Sequence, residues 1–153
     1  ISVKDINALS NSALTTAKLR AIPITTIKPI LNQPIKDLEF YDIKLTNYNE
    51  LKSFKLERLN LTYCFITDLE FLNLEKLKVL TINGGTIKDI SILKNSNLDK
   101  FELVNTYIKD ISPLQGKNIN YLGIDSYPEY LMSVDKFLAE QKGFNINNPK
   151  KQN

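Results

Sequence analysis

An apolar pattern recurs every 21 residues along most of this chain, with no insertion or deletion between units. Each unit reads LxxLxLxxxxIxxIxxL, and the units begin at the following residues: Leu14, Ile35, Leu56, Leu77, Leu98 and Ile119. A fixed period of this kind is the signature of stacked coils, in which each unit can bury its apolar face only against its neighbours. We therefore predict that the chain folds as a solenoid.

The two halves of each unit have different patterns. The LxL half alternates with a period of two, which is typical of a short strand with its apolar residues pointing inward. The other half turns back around an Ile-x-Asp-Ile signature, as in residues 87–90 and 108–111. We expect its aspartate to accept hydrogen bonds from backbone N–H groups of the following short turn, and we favour this capping role over a catalytic one.

These units resemble leucine-rich repeats. The tract Ile108-Lys109-Asp110-Ile111-Ser112-Pro113-Leu114 is similar to the convex segment of the bacterial internalin-like type, and the resemblance covers about residues 1–127. It implies an α/β leucine-rich-repeat solenoid, a right-handed β-α superhelix with a short parallel concave sheet. The family often carries a ladder of asparagines at the ninth position of each unit, whereas this chain has Ile22, Ile43, Cys64, Gly85, Thr106 and Tyr127 there.

The repeat pattern also predicts the domain boundaries. We assign residues 1–13 to a partial N-terminal repeat or cap, 14–127 to the repeats, 128–144 to a C-terminal capping helix and 145–153 to a polar tail. A helix is predicted after Tyr127 because the repeat ends there and apolar residues then fall on one helical face before Gly143. The alternative for this helix is an amphipathic segment that binds a partner. Because the chain begins inside a repeat, either upstream residues are missing or the half-unit is an irregular cap.

Composition excludes several classes of function. The chain is 42% hydrophobic and 24% charged, which predicts a single soluble domain that does not enter a membrane. Its net charge is +3, with basic and acidic residues interspersed, so we expect no nucleic-acid partner. Histidine is absent and there is one cysteine, which removes the usual general base and the common nucleophile pairs. We therefore expect no catalytic residue, no cofactor and no metal.

Three local features could still carry chemistry. The pair Gly84-Gly85 lacks the remaining residues of a phosphate-binding loop, so a tight exit from a strand is favoured. Asp37 and Glu39 share one face of a strand but have no third ligand, so solvated charge is favoured over a cation site. Cys64 occupies an inward position, where a thiol behaves as a small buried apolar group rather than a nucleophile.

The outward residues of the strands are the predicted binding surface. Six strands spaced about 4.8 Å apart would span roughly 25–30 Å, enough for one helix or one edge of a globular partner. Tyrosine and arginine most often dominate the binding energy of an interface, so we expect Tyr41, Arg58 and Tyr63 to cluster as its main binding residues. Tyr121 is predicted as a second contact, with Glu39 and Lys100 providing charge complementarity. The alternative is that these side chains are ordinary solubilising surface.

The function predicted from these features is a non-enzymatic module that binds a protein partner on the concave face. We expect a monomer, secreted or at a bacterial cell surface as the resemblance implies, with the cytoplasm as the alternative location. Two other functions remain open. The chain could be the substrate-recognition domain of a larger secreted effector enzyme, or a structural spacer in a surface protein.

Overall fold

The structure, a computed structural model, describes residues 5–108 and 110–125. The predicted capping helix over 128–144 and the tail over 145–153 lie outside the described residues, as does Tyr127. Within these ranges the chain forms one parallel sheet whose strands follow one another in chain order. The strands are β1 (Thr16–Arg20), β2 (Asp37–Tyr41), β3 (Arg58–Thr62), β4 (Val79–Asn83), β5 (Lys100–Val104) and β6 (Tyr121–Asp125).

Neighbouring strands pair in the register that the repeat predicts. Leu59 of β3 lies beside Leu80 of β4, which lies beside Phe101 of β5, so each partner is 21 residues further along the chain. The inward residues of β1–β5 are buried and the outward ones are exposed or half-buried. Because side chains alternate between the two faces of a strand, this register places every LxL pair in the core. The predicted leucine-rich-repeat solenoid is confirmed.

The segments that return from one strand to the next contain short 3₁₀ helices rather than α-helices, except between β3 and β4, where residues 63–78 form turns and bends. A coil of 21 residues leaves few residues for this side, and a 3₁₀ helix suits such short pieces. The 3₁₀ helices are Asn7–Leu9, Lys28–Ile30, Tyr48–Ser53, Ser91–Asn95 and Ser112–Leu114. None of the helices in the described ranges is long and apolar enough to cross a bilayer.

The aspartates of the Ile-x-Asp-Ile signature cap these returning segments. Oδ1 of Asp89 accepts a hydrogen bond from the backbone N–H of Ser91 at 2.7 Å, and Oδ1 of Asp110 accepts one from Ser112 at 2.8 Å. Asp68 does the same for Glu70 at 3.0 Å. The capping role predicted for these carboxylates is confirmed.

The ninth position of each unit lies just after the strand, and it holds no asparagine ladder. Ile43, Cys64 and Thr106 are buried there, and the Thr106 hydroxyl is the one buried side-chain polar atom in the described ranges that has no hydrogen-bond partner. The Tyr48 hydroxyl donates a hydrogen bond to the Ile43 carbonyl at 2.8 Å and also contacts the Cys64 carbonyl. One tyrosine therefore links the backbones of two successive coils at the position where the family often has its ladder.

Candidate functional site

Each of the first five strands is followed directly by a residue with left-handed backbone conformation. These residues are Ala21, Asp42, Tyr63, Gly84 and Asn105, with φ between 47° and 88°. This conformation turns the chain sharply out of the sheet, and it is unfavourable for a bulky side chain. Tyr63 has this conformation, so its side chain lies at the edge of the sheet, just beyond the end of β3, rather than within the sheet.

The concave face of the sheet contains a depression of about 560 Å³ that extends across β1 to β5. Three of the predicted binding residues line it, namely Glu39, Arg58 and Lys100. Val79 and Thr81 of β4 lie between the charged side chains. The depression is therefore lined by charged side chains on β1, β2, β3 and β5, and by uncharged ones on β4.

Tyr41 and Tyr63 pack against each other at one edge of this face. Their ring centroids are 5.4 Å apart and the ring planes meet at 83°, an edge-to-face contact that aromatic pairs favour. The guanidinium of Arg20 lies 5.1 Å from the centroid of the Tyr41 ring. The predicted contact between these two tyrosines is thus present, with an arginine beside it.

The arginine in this cluster is not the predicted one. Arg58 is the first residue of β3 and pairs in register with Asp37, whereas Tyr63 follows the last residue of the same strand. Arg58 lies four residues from the end of β3, roughly 13 Å along the strand, and Tyr63 is one residue further, so the expectation that Arg58 would cluster with the tyrosines is wrong. Arg20 takes that place because it pairs in register with Tyr41. The 21-residue spacing between them was a signal that could have identified it.

The charged residues of the concave face are paired with one another. Glu39 binds both Lys18 and Arg20 at 3.2 Å, and hydrogen bonds from these two side chains lower the pKa of its carboxyl group. Asp37 lies 3.4 Å from Arg58. The two carboxylates are therefore neutralised by basic side chains, and the described residues contain no cluster that could hold a metal ion.

Tyr121 lies across the far end of this face. The ammonium of Lys100 is 4.4 Å from the centroid of its ring and 3.1 Å from a carboxylate oxygen of Glu102. A Cβ atom on Gly123 would lie 3.1 Å from Cε1 of Tyr121, tighter than ordinary packing allows. Gly123 thus leaves room for this ring, a role that the sequence analysis missed. The sequence contained a signal for this role. Gly123 occupies the strand position at which the other strands carry a side chain, such as Lys18 or Glu39.

Cys64 and the glycine pair have structural roles. Cys64 is buried, and burial raises the pKa of its thiol, which disfavours the nucleophilic thiolate. Gly84 and Gly85 follow β4 directly and both have positive φ, as expected for a tight exit from the strand. A Cβ atom on Gly85 would lie only 2.3 Å from the Ile66 carbonyl oxygen, so this residue lets two coils approach closely.

Comparison with known proteins gives a family model and solved structures to which this chain is similar. A family model described as leucine-rich repeats in two copies matches residues 54–95. A crystal structure of an internalin, InlF of Listeria monocytogenes, superposes with a TM-score of 0.74 at 23% sequence identity, covering 96% of this chain. The chain spans 47% of the length of that internalin chain. A search of curated proteins gives no match.

Proposed function

We propose that this chain, a leucine-rich-repeat protein with an internalin-like fold, is a non-enzymatic module that binds a protein partner on its concave face. Repeat solenoids use their extended concave surfaces in this way. The observation that carries the proposal is the depression across β1 to β5, which is lined by outward side chains on a rigid sheet in regular register. A surface of this shape fits one helix or one edge of a globular domain.

The chemistry of the face supports binding rather than catalysis. Its carboxylates are held by basic side chains, and its one nearby thiol is buried with a raised pKa. Tyr41, Tyr63 and Tyr121 provide large contact areas with a polar end, which is the side-chain type that contributes most at interfaces. Arg20 joins them in the proposed surface because it lies over Tyr41.

The likeness to an internalin supports a place at a bacterial cell surface or in the secreted fraction. The chain spans about half of that internalin's length, which supports a module within a longer protein.

Affinity capture with the full 153-residue chain, followed by titration of the captured partner, tests the proposal. We expect Tyr41→Ala, Tyr63→Ala and Tyr121→Ala each to weaken binding by about 1–2 kcal/mol, because each removes a large contact ring. The matched control is Lys55→Ala, an exposed side chain paired with Glu75 outside the depression, which should leave affinity unchanged. Unchanged affinity in all three tyrosine variants and in Arg58→Ala, which alters a residue that lines the depression, would show that the concave face is not the binding surface.

A further inference from the structure

Basic side chains outnumber acidic ones on the concave side of the first three strands. Lys18 and Arg20 point outward from β1 and Arg58 from β3, while Asp37 and Glu39 point outward from β2 between them. Three positive charges therefore stand beside two negative ones. The outward residues of β4 are uncharged, and those of β5 include one basic and one acidic residue. Within β1 to β5, the positive excess thus lies at one end of the face.

The basic side chains also extend further into solvent than the carboxylates with which they pair. The side chains of Lys18, Arg20 and Arg58 are 67%, 68% and 62% exposed. Those of Glu39 and Asp37 are 24% and 45% exposed. A partner that approaches this end of the sheet therefore meets ammonium and guanidinium groups before it meets carboxylates.

The ion pairs at this end of the face leave donors available for a further carboxylate. Glu39 has one oxygen 3.2 Å from Lys18 and the other 3.2 Å from Arg20, so a single carboxylate serves two cations. Arg58 contacts Asp37 through Nε at 3.4 Å, and its two terminal nitrogens donate no hydrogen bond within the described residues. A guanidinium has five N–H donors and binds a carboxylate best through two parallel hydrogen bonds. Arg58 can therefore bind a carboxylate from outside the chain.

Arg20 is held in position by two contacts on neighbouring β2. Its Nη2 donates a hydrogen bond to Oε1 of Glu39 at 3.2 Å, and its guanidinium carbon lies 5.1 Å from the centroid of the Tyr41 ring. The second distance is within the range of a cation–π contact. A side chain that is already ordered loses less conformational freedom when a partner binds, which favours affinity. The exposed guanidinium of Arg20 is thus prepared for a partner.

We propose that the partner segment bound over β1 to β3 is acidic, with carboxylates that pair with Lys18, Arg20 and Arg58. This inference rests on the proposed function, because it names the chemistry of the partner at the same concave face. Carboxylates of the partner would bind donors that the two carboxylates of β2 leave available. Charge complementarity of this kind favours one partner over others and speeds association. A basic segment would instead be repelled by the three exposed cations.

A nucleic acid fits this end of the face less well than an acidic segment of a protein. A DNA strand carries one phosphate about every 3.4 Å, so it would bring negative charges close to Asp37 and Glu39 as well as to the basic side chains. The excess of basic over acidic residues on β1 to β3 is a single charge, three against two. A protein segment can place carboxylates over the basic side chains and uncharged residues over the acidic ones.

Selection of a randomised displayed peptide library against the full chain tests the proposal. We expect the enriched peptides to be rich in aspartate and glutamate, and synthetic versions with asparagine and glutamine instead to bind about tenfold more weakly. Lys18→Gln and Arg58→Gln should each weaken binding of the acidic peptides by about three- to tenfold. Asp37→Asn should strengthen it by about two- to fivefold, because it removes a competing carboxylate from Arg58.

The matched control is Lys55→Gln, which removes the same charge from an exposed pair with Glu75 outside the depression and should leave peptide affinity unchanged. Enrichment of neutral or basic peptides would overturn the proposal, as would acidic peptides that bind Lys18→Gln and Arg58→Gln normally. A single-stranded oligonucleotide that binds more tightly than the peptides, and depends on Lys18 and Arg58, would also overturn it.

Thr81→Trp separates a failure of this inference from a failure of the proposed function. Thr81 is an uncharged residue of β4 that lines the depression, so this change fills the depression without altering its charge. Neutral peptides that lose affinity for Thr81→Trp would contradict an acidic partner and still support the concave face as the binding surface. Selected peptides that bind Thr81→Trp, Lys18→Gln and Arg58→Gln normally would contradict both.

Discussion

At the scale of single residues, a close approach between two coils decides which residue is allowed at position 85. Gly85 has a φ of 109°, and a Cβ atom there would meet the carbonyl oxygen, nitrogen and carbonyl carbon of Ile66 at 2.3, 3.1 and 3.2 Å. All three atoms are backbone, so no side-chain movement can relieve the contact. Gly116 also has positive φ, at 74°, but nothing lies within 4 Å of a Cβ atom on it.

These two glycines give a matched pair of variants. We expect Gly85→Ala to lower the free energy of unfolding by at least about 3 kcal/mol, because the two coils must move apart. Gly116→Ala should cost about 1–2 kcal/mol, since only the left-handed conformation is penalised. Urea unfolding followed by circular dichroism measures both. Equal losses in the two variants would mean that the close approach to Ile66 is not what requires glycine at residue 85.

At the scale of elements, the 3₁₀ helix Tyr48–Ser53 is tied to two coils through its first residue. The Tyr48 hydroxyl donates to the Ile43 carbonyl at 2.8 Å, and its ring packs on Phe71 with centroids 5.7 Å apart. Burial raises the pKa of this hydroxyl well above its ordinary value of 10.0. The protonated form is therefore the one that the fold stabilises.

We expect Tyr48→Phe to lower the free energy of unfolding by about 1–2 kcal/mol at neutral pH, because two carbonyl groups lose a donor while the ring stays in place. The contribution of Tyr48 is fully present below pH 10, the ordinary pKa of tyrosine, and declines above it because the unfolded chain then releases the proton more readily. Denaturant titrations from pH 7 to 11 should show a smaller loss above pH 10 in the variant than in the unchanged chain. Parallel curves would contradict this role of the hydroxyl.

At the scale of the whole molecule, stability comes from the shared core rather than from surface charge. Leu80 and Phe101 are fully buried between neighbouring strands. The ion pairs, by contrast, join side chains that are partly or largely exposed, as for Lys55 and Glu75 at 3.1 Å. Exposed pairs contribute little and are screened by salt, whereas a buried leucine contacts several coils.

We therefore expect Leu80→Ala to lower the free energy of unfolding by about 2–5 kcal/mol, and Lys55→Ala to change it by less than about 1 kcal/mol. Raising the salt concentration to roughly the molar range should have an effect as small as that of Lys55→Ala. Urea titrations at low and high salt measure all three. A salt effect larger than that of Leu80→Ala would show that charge pairing, not the core, holds the coils together.

Much of this architecture followed from the sequence alone because the repeat is regular. The 21-residue spacing placed Leu59, Leu80 and Phe101 on adjacent strands, and the aspartates of the returning segments were identified as caps. It also placed Tyr41 and Tyr63 together at one edge of the sheet. Contacts of this kind depend only on period and alternation, which are properties of the chain itself.

Other features were decided by the tertiary structure. Arg20 rather than Arg58 joins the tyrosines, Gly123 makes room for Tyr121, and Phe65 stands exposed with a left-handed backbone. The sequence determines which residues face inward and which coil each occupies, because burial follows the repeat. The sequence does not determine which side chains contact each other across the sheet or which coils approach closely. These contacts depend on the distances between stacked coils, which only the tertiary structure fixes.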